Sequence, residues 1–152
     1  MGSVYFYHLT RTPLETTLPM LLAKARAAAW RVEVRGTDPV RMDWLDEKLW
    51  MGPEDGFLPH GRAGGPHDLD QPILLTTAPG SKFECLMCVD GAAPDADEVR
   101  AAERACVLFD GNDPDAVQIA RGQWKALSDA GCAAQYWSEQ SGRWEKKAET
   151  GG

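Results

Sequence analysis

Apolar and polar residues along the chain switch repeatedly between a period of two and a period near 3.6, and the switches predict the elements. Val4 to Leu9 is a compact apolar and aromatic run, short enough for a buried strand. Thr12-Pro13-Leu14-Glu15 then reads as a capping box with proline at the first helical position, opening a helix to about Ala28. Leu14, Leu18, Leu21, Leu22 and Ala25 form its inner stripe, with Pro19 inside it as a residue that kinks the helix or delays its start. Trp30 to Arg35 alternates Trp30, Val32 and Val34 with Arg31, Glu33 and Arg35, the pattern of a half-buried or edge strand. Asp38-Pro39 starts a second helix that turns Met42, Leu45 and Leu49 inward, keeps Trp44 on its flank, and ends near Gly52.

Strand, helix, strand, helix is the order of parallel strands joined by right-handed crossovers. The texture then changes: Gly52 to Pro72 is rich in glycine and proline and reads as one long surface loop. Ile73 to Thr77 and Lys82 to Val89 resume as strands. Ala92 to Asp97 is a polar connection, and Glu98 to Ala105 a short helix leading into the strand Cys106 to Phe109. Asp113-Pro114 opens a helix to about Ala130, stopped by Gly131. Ala133 to Trp137 and Arg143 to Lys147 read as a closing hairpin, and Ala148 to Gly152 as a frayed tail. With no internal repeat and no linker, residues 1–147 form a single α/β domain.

Composition narrows the class. The chain has 152 residues, 43% apolar and 26% charged, an ordinary globular balance. Nothing near the first residues resembles an export signal, and no apolar run is long enough to span a bilayer, so the sequence reads as cytoplasmic and free of membrane. A net charge of −7 argues against a broad phosphate-binding surface, and direct nucleic-acid binding is not expected. Cys85, Cys88, Cys106 and Cys132 read as buried structural thiols. Cys85 and Cys88 have the spacing of half a zinc site, but no second pair is present, and period two puts them on opposite faces of a strand.

Few residues offer catalysis. The strand-helix order invites a phosphate-binding loop, yet neither GxGxxG nor GxxxxGK[ST] occurs. Of the three histidines, His8 lies in the first strand, where a hydrogen-bonded structural imidazole is expected. His60 and His67 lie in the long loop, which keeps open an enzyme or metal-binding protein built on Gly52 to Pro72. Asp43, Asp46 and Glu47, like Asp95, Asp97 and Glu98, read as solvated faces. No metal, cofactor or catalytic residue is assigned, and binding is the better class of function.

The binding candidate lies near the C-terminus. From Arg121 to Lys147 five basic residues face three acidic ones, in a segment that also holds Trp124, Tyr136, Trp137 and Trp144. On a helical wheel Ala116, Ala120 and Leu127 point inward, Val117 and Trp124 flank them, and Arg121, Lys125 and Ser128 lie beyond. Two readings stay open on composition alone. Trp124 is a core-edge indole under two snorkelling cations, or the wall of a pocket in which those cations meet carboxylates.

The chain resembles the chi subunit family of bacterial DNA polymerase III. The resemblance rests on Phe6-Tyr7-His8-Leu9, Trp30-Arg31-Val32, Leu45-Asp46-Glu47-Lys48-Leu49-Trp50, Phe57-Leu58-Pro59-His60, Gln71-Pro72-Ile73-Leu74-Leu75-Thr76, Phe109-Asp110-Gly111, Ala120-Arg121-x-x-Trp124-Lys125 and Tyr136-Trp137, in that order. It implies a Rossmann-like, largely parallel sheet with helices on both faces, and a non-catalytic adaptor in DNA replication. It also implies a pocket of Arg121, Trp124, Lys125 and Phe109 for the acidic C-terminal tail of single-stranded-DNA-binding protein. The clamp-loader psi subunit is a second implied partner, at Phe57, Pro59 and His60. Tyr136, Trp137 and Trp144 are then left as packing for the closing hairpin.

Overall fold

A computed structural model describes residues 3–11, 13–50, 61–62, 72–77, 83–139 and 144–150. In chain order the elements are β1 (Ser3–Leu9), α1 (Leu14–Ala27), β2 (Val32–Arg35), α2 (Pro39–Trp50), β3 (Gly61–Arg62) and β4 (Ile73–Thr76). They continue with β5 (Cys85–Cys88), α3 (Ala96–Ala101), β6 (Arg104–Asp110), α4 (Pro114–Asp129), β7 (Ala133–Ser138) and β8 (Glu145–Thr150). Among these residues the strands form one eight-stranded sheet in the order β3-β4-β2-β5-β6-β1-β7-β8. Neighbouring strands are parallel throughout, except β8, which pairs antiparallel with β7. The Rossmann-like α/β sheet and its closing hairpin are thus as the sequence implied.

Period two along the central strands builds two cores. Cys85, Met87, Cys106, Leu108 and Leu9 face α1 and α2, whereas Leu86, Cys88, Ala105, Val107 and Phe109 face α3 and α4. Cys85 and Cys88 therefore sit on opposite faces, and all four cysteines are free and buried. Among the described residues no helix is long and apolar enough to cross a membrane.

Several boundaries differ from those the sequence predicts, each for a local reason. Pro13, where Thr12 was expected, is the N-cap of α1, with an extended backbone (φ −75°, ψ 165°) and no side-chain cap of its own. Its carbonyl instead accepts the N–H groups of Thr16 and Thr17, at 3.0 and 3.1 Å. Thr12 lies outside the described residues. β2 is not an edge strand: it lies between β4 and β5, and all four of its residues are buried. Its polar alternation comes from a buried ion cluster rather than a wet face. Arg35 bonds Glu33 through Nε at 2.9 Å and grips both carboxylate oxygens of Glu98, at 2.8 and 2.6 Å.

Glu98 also completes a capping box with Asp95, so α3 begins two residues before the expected Glu98 start and shortens the polar connection. β6 begins at Arg104, ahead of the expected Cys106. The stretch expected as one loop contains β3, which pairs Gly61 and Arg62 with Leu74 and Leu75. The supposedly frayed tail is strand to Thr150, with Ala148, Glu149 and Thr150 opposite Tyr136, Gln135 and Ala134. A polar edge strand such as EKKAET shows no apolar alternation, which hides it in the sequence.

Candidate functional site

α4 is positioned at both ends by its own sequence. Asp113 caps it by accepting the Asp115 N–H at 3.0 Å, with Pro114 in the first turn. Gly131, in the left-handed region at φ 85°, ends it, and Cys132 N–H returns to the Leu127 carbonyl at 3.0 Å. Ala120 and Leu127 are buried against the sheet, which leaves Trp124 half-buried at the core edge with Arg121 and Lys125 exposed. The helical wheel is reproduced for Ala120, Leu127, Val117, Trp124, Arg121 and Lys125, whereas Ala116, expected inward, is only half-buried and Ser128, expected on the outer side, has its Oγ buried.

Trp124 is one ring of a five-membered cluster. It packs edge-on against Phe6, centroids 5.4 Å apart, and against Tyr136 at 6.0 Å. Tyr136 in turn bonds His8 Nδ1 through its hydroxyl at 2.7 Å. Phe109 stands 5.1 Å from the His8 ring and 6.0 Å from Tyr136. Gly111 is small because the His8 ring lies where its Cβ would be, and its N–H donates to the Leu9 carbonyl at 2.6 Å. His8 is thus the structural imidazole expected of it. Phe109 is buried and supports the cluster from behind.

The charges around these rings are unequal. Arg121 has no carboxylate partner among the described residues, whereas Lys125 pairs with Asp129 at 3.3 Å, Lys146 with Glu149 at 3.4 Å, and Lys147 with Glu145 at 3.3 Å. Burial pushes the Tyr136 hydroxyl above its ordinary pKa, and the nearby positive charge of Arg121 opposes that shift. Among the described residues the basic island is thus largely self-neutralised, with Arg121 left as an open cation. Tyr136, read from the sequence as hairpin packing, belongs to the ring cluster. Period two along β7 was the available signal: it sends Tyr136 toward Trp124 and Trp137 to the other face, where Trp144 packs edge-on against Tyr7 at 5.5 Å.

A larger cleft, about 900 Å³, lies elsewhere. It opens at the C-terminal ends of β1 and β6, where α1 departs to one face and α4 to the other, the usual ligand crevice of such sheets. Among the described residues six carboxylates line it against two guanidiniums, and that of Arg41 is already held by Asp90 at 3.2 Å. The backbone N–H groups of Thr10 and Arg11, placed where a phosphate would be cradled, both donate to Glu139 Oε1, at 3.0 and 2.7 Å. An internal carboxylate therefore occupies the anion position, and the cleft repels rather than attracts an acidic ligand.

Among the described residues neither the cysteines nor His8 is set up for chemistry. Burial lifts the Cys88 thiol well above its ordinary range, and hydrogen bonding with Cys85 together with burial does the same for Cys106. No group of three metal-ligating side chains exists among the described residues. His60 and His67, and the Phe57, Pro59 and His60 surface, lie outside the described residues.

Comparison with known proteins adds a family. The family model described as DNA polymerase III chi subunit, HolC, matches residues 1–135. No curated protein matches the chain. Among solved structures, the C-terminal domain of a possible DNA helicase from Lactobacillus plantarum WCFS1 has a TM-score of 0.53 at 13% identity. That match covers 73% of this chain and 75% of the other, and it shows a shared fold.

Proposed function

The chain belongs to the chi-subunit family of DNA polymerase III, an accessory part of DNA replication and not its catalytic subunit, and from that premise we propose that it docks an acidic peptide tail. The tail is the C-terminus of single-stranded-DNA-binding protein, and the dock is the groove formed by Arg121, Trp124 and Lys125, with Phe109 and Tyr136 behind it. Docking there links that protein to the clamp loader without any chemistry on the peptide.

One observation carries this reading: Arg121 is exposed beside a preformed aromatic cluster and has no carboxylate partner among the described residues. An unmet guanidinium next to rings suits a terminal carboxylate that follows an aromatic side chain. Magnitudes limit the claim. Burying one phenylalanine contributes about 1.5–3 kcal/mol and one charge-assisted bond about 1.5–3 kcal/mol, before ordering costs. A micromolar complex requires about 8 kcal/mol. Upstream aspartates of the tail therefore contribute, through Lys125 exchanging its exposed pairing with Asp129. Such a pair is worth only about 0.3–0.5 kcal/mol and yields readily.

The test is fluorescence anisotropy with a labelled acidic tail peptide. Affinity is expected to fall at least tenfold in Arg121→Ala and Trp124→Ala and to weaken with added salt. Unchanged affinity in both variants would remove the site.

A further inference from the structure

A second cavity, of about 460 Å³, opens beside α1 on the sheet face away from α4. Tyr5, Tyr7, Trp30, Trp137 and Trp144 line it, five rings drawn from four stretches of the chain. Tyr5 and Tyr7 stand 6.4 Å apart on β1, and Trp144 closes edge-on over Tyr7 at 5.5 Å. Trp137 and Trp144 come from the closing hairpin, and unlike Tyr136 of that hairpin they take no part in the proposed tail-binding site.

The polar groups of this cavity are as selective as its rings. The Arg104 guanidinium lies 4.3 Å from the Tyr5 ring and 5.4 Å from the Trp30 ring. Its Nε is buried and has no hydrogen-bond partner, and the side chain meets no carboxylate among the described residues. Lys24, exposed on α1, stands at the same rim and likewise makes no ion pair among them. Among the described residues no aspartate or glutamate lines the cavity, although the chain carries 23 of them and a net charge of −7. The carboxylates gather at the large crevice instead, so the two cavities select opposite ligands.

A purely apolar occupant would leave Arg104 Nε unsatisfied, and a bare anion would leave the rings unused. Rings that accept a flat heterocycle, with two cations beside them, match a base joined to its phosphate. We propose that this cavity binds one nucleotide unit, its base against the tryptophan and tyrosine rings and its phosphate on Arg104 and Lys24. A chain of net negative charge can hold such a ligand because one phosphate, not a backbone track, has to be neutralised. The same unit exists as a free nucleotide and as a residue of single-stranded DNA.

Both sources are tested on the full chain by tryptophan fluorescence, titrating thymidine 5′-monophosphate in one arm and a short oligothymidylate in the other. Quenching in either arm is expected; tighter binding of the oligonucleotide identifies the strand as the ligand, and equal affinity the free nucleotide. Salt dependence is expected to be shallow, with a logarithmic slope of about 0.7 per phosphate contacted. Lys24→Glu, a surface change that keeps the fold, is expected to weaken binding about tenfold, with Arg104→Gln at least as damaging. The acidic tail peptide is expected not to displace the nucleotide. No quenching in either arm at millimolar ligand, wild-type affinity in both variants, or displacement by the tail peptide would each overturn the proposal.

Discussion

The Tyr136 hydroxyl and His8 Nδ1 lie 2.7 Å apart and tie β7 to β1 beneath α4. This bond holds the ring that Trp124 packs against, at a centroid distance of 6.0 Å. Tyr136→Phe keeps the ring and removes the bond, leaving a part-buried imidazole nitrogen without its partner. A loss of about 1–2 kcal/mol of stability is expected by chemical denaturation, with tail affinity reduced less than in Trp124→Ala.

Gly111 is fixed by a close approach. A methyl group there would overlap the His8 ring and crowd the Leu9 carbonyl. Gly111→Ala is expected to cost about 1–3 kcal/mol and to shift the His8 ring resonances in an NMR spectrum. A neutral effect on both would mean that His8 is not packed as described.

Glu98 links the sheet to α3 through Arg35, and that guanidinium, by hydrogen bonding first, holds the Glu98 carboxyl below the ordinary carboxylate range. A depressed value in the folded state means that the stabilisation is present above the unfolded pKa, about 4.3, and is lost as pH falls through the folded value. Glu98→Gln is therefore expected to cost about 1.5–3 kcal/mol at neutral pH. It should also flatten the acid limb of a stability profile below about pH 4.3. An acid limb as steep as that of the parent protein would argue against the linkage.

Ala29 follows α1 with φ 61°, in the region where a side chain is strained, and the N–H of Trp30 returns to the Ala25 carbonyl at 3.0 Å. This is a glycine position occupied by alanine. Ala29→Gly is expected to stabilise by about 0.5–1 kcal/mol, a gain of strain relief over the entropy of the unfolded glycine. Thermal unfolding measures it directly.

How much of this could be read from the sequence follows from where each signal resides. Helical faces were legible because burial repeats along them: Met42, Leu45 and Leu49, and Ala120 with Leu127, are buried as their spacing requires. The place of β2 was not, because Glu33 and Arg35 mimic a wet edge while meeting each other and Glu98 inside the protein. β3 and α3 are too short to carry a period, and β8 is too polar. That Arg121, Trp124 and Lys125 share one edge of α4 was legible, since one helix carries all three. Tyr136 was not, because its place beside Trp124 arises only when β7 pairs with β1.

In the proposed dock Arg121 receives the terminal carboxylate of the acidic tail. A double-mutant cycle measures it, pairing Arg121→Ala with a tail peptide whose terminal carboxylate is replaced by an amide. If the two groups meet, each change alone weakens binding and the second adds little, giving a coupling of about 1.5–3 kcal/mol. Fully additive effects would contradict the account.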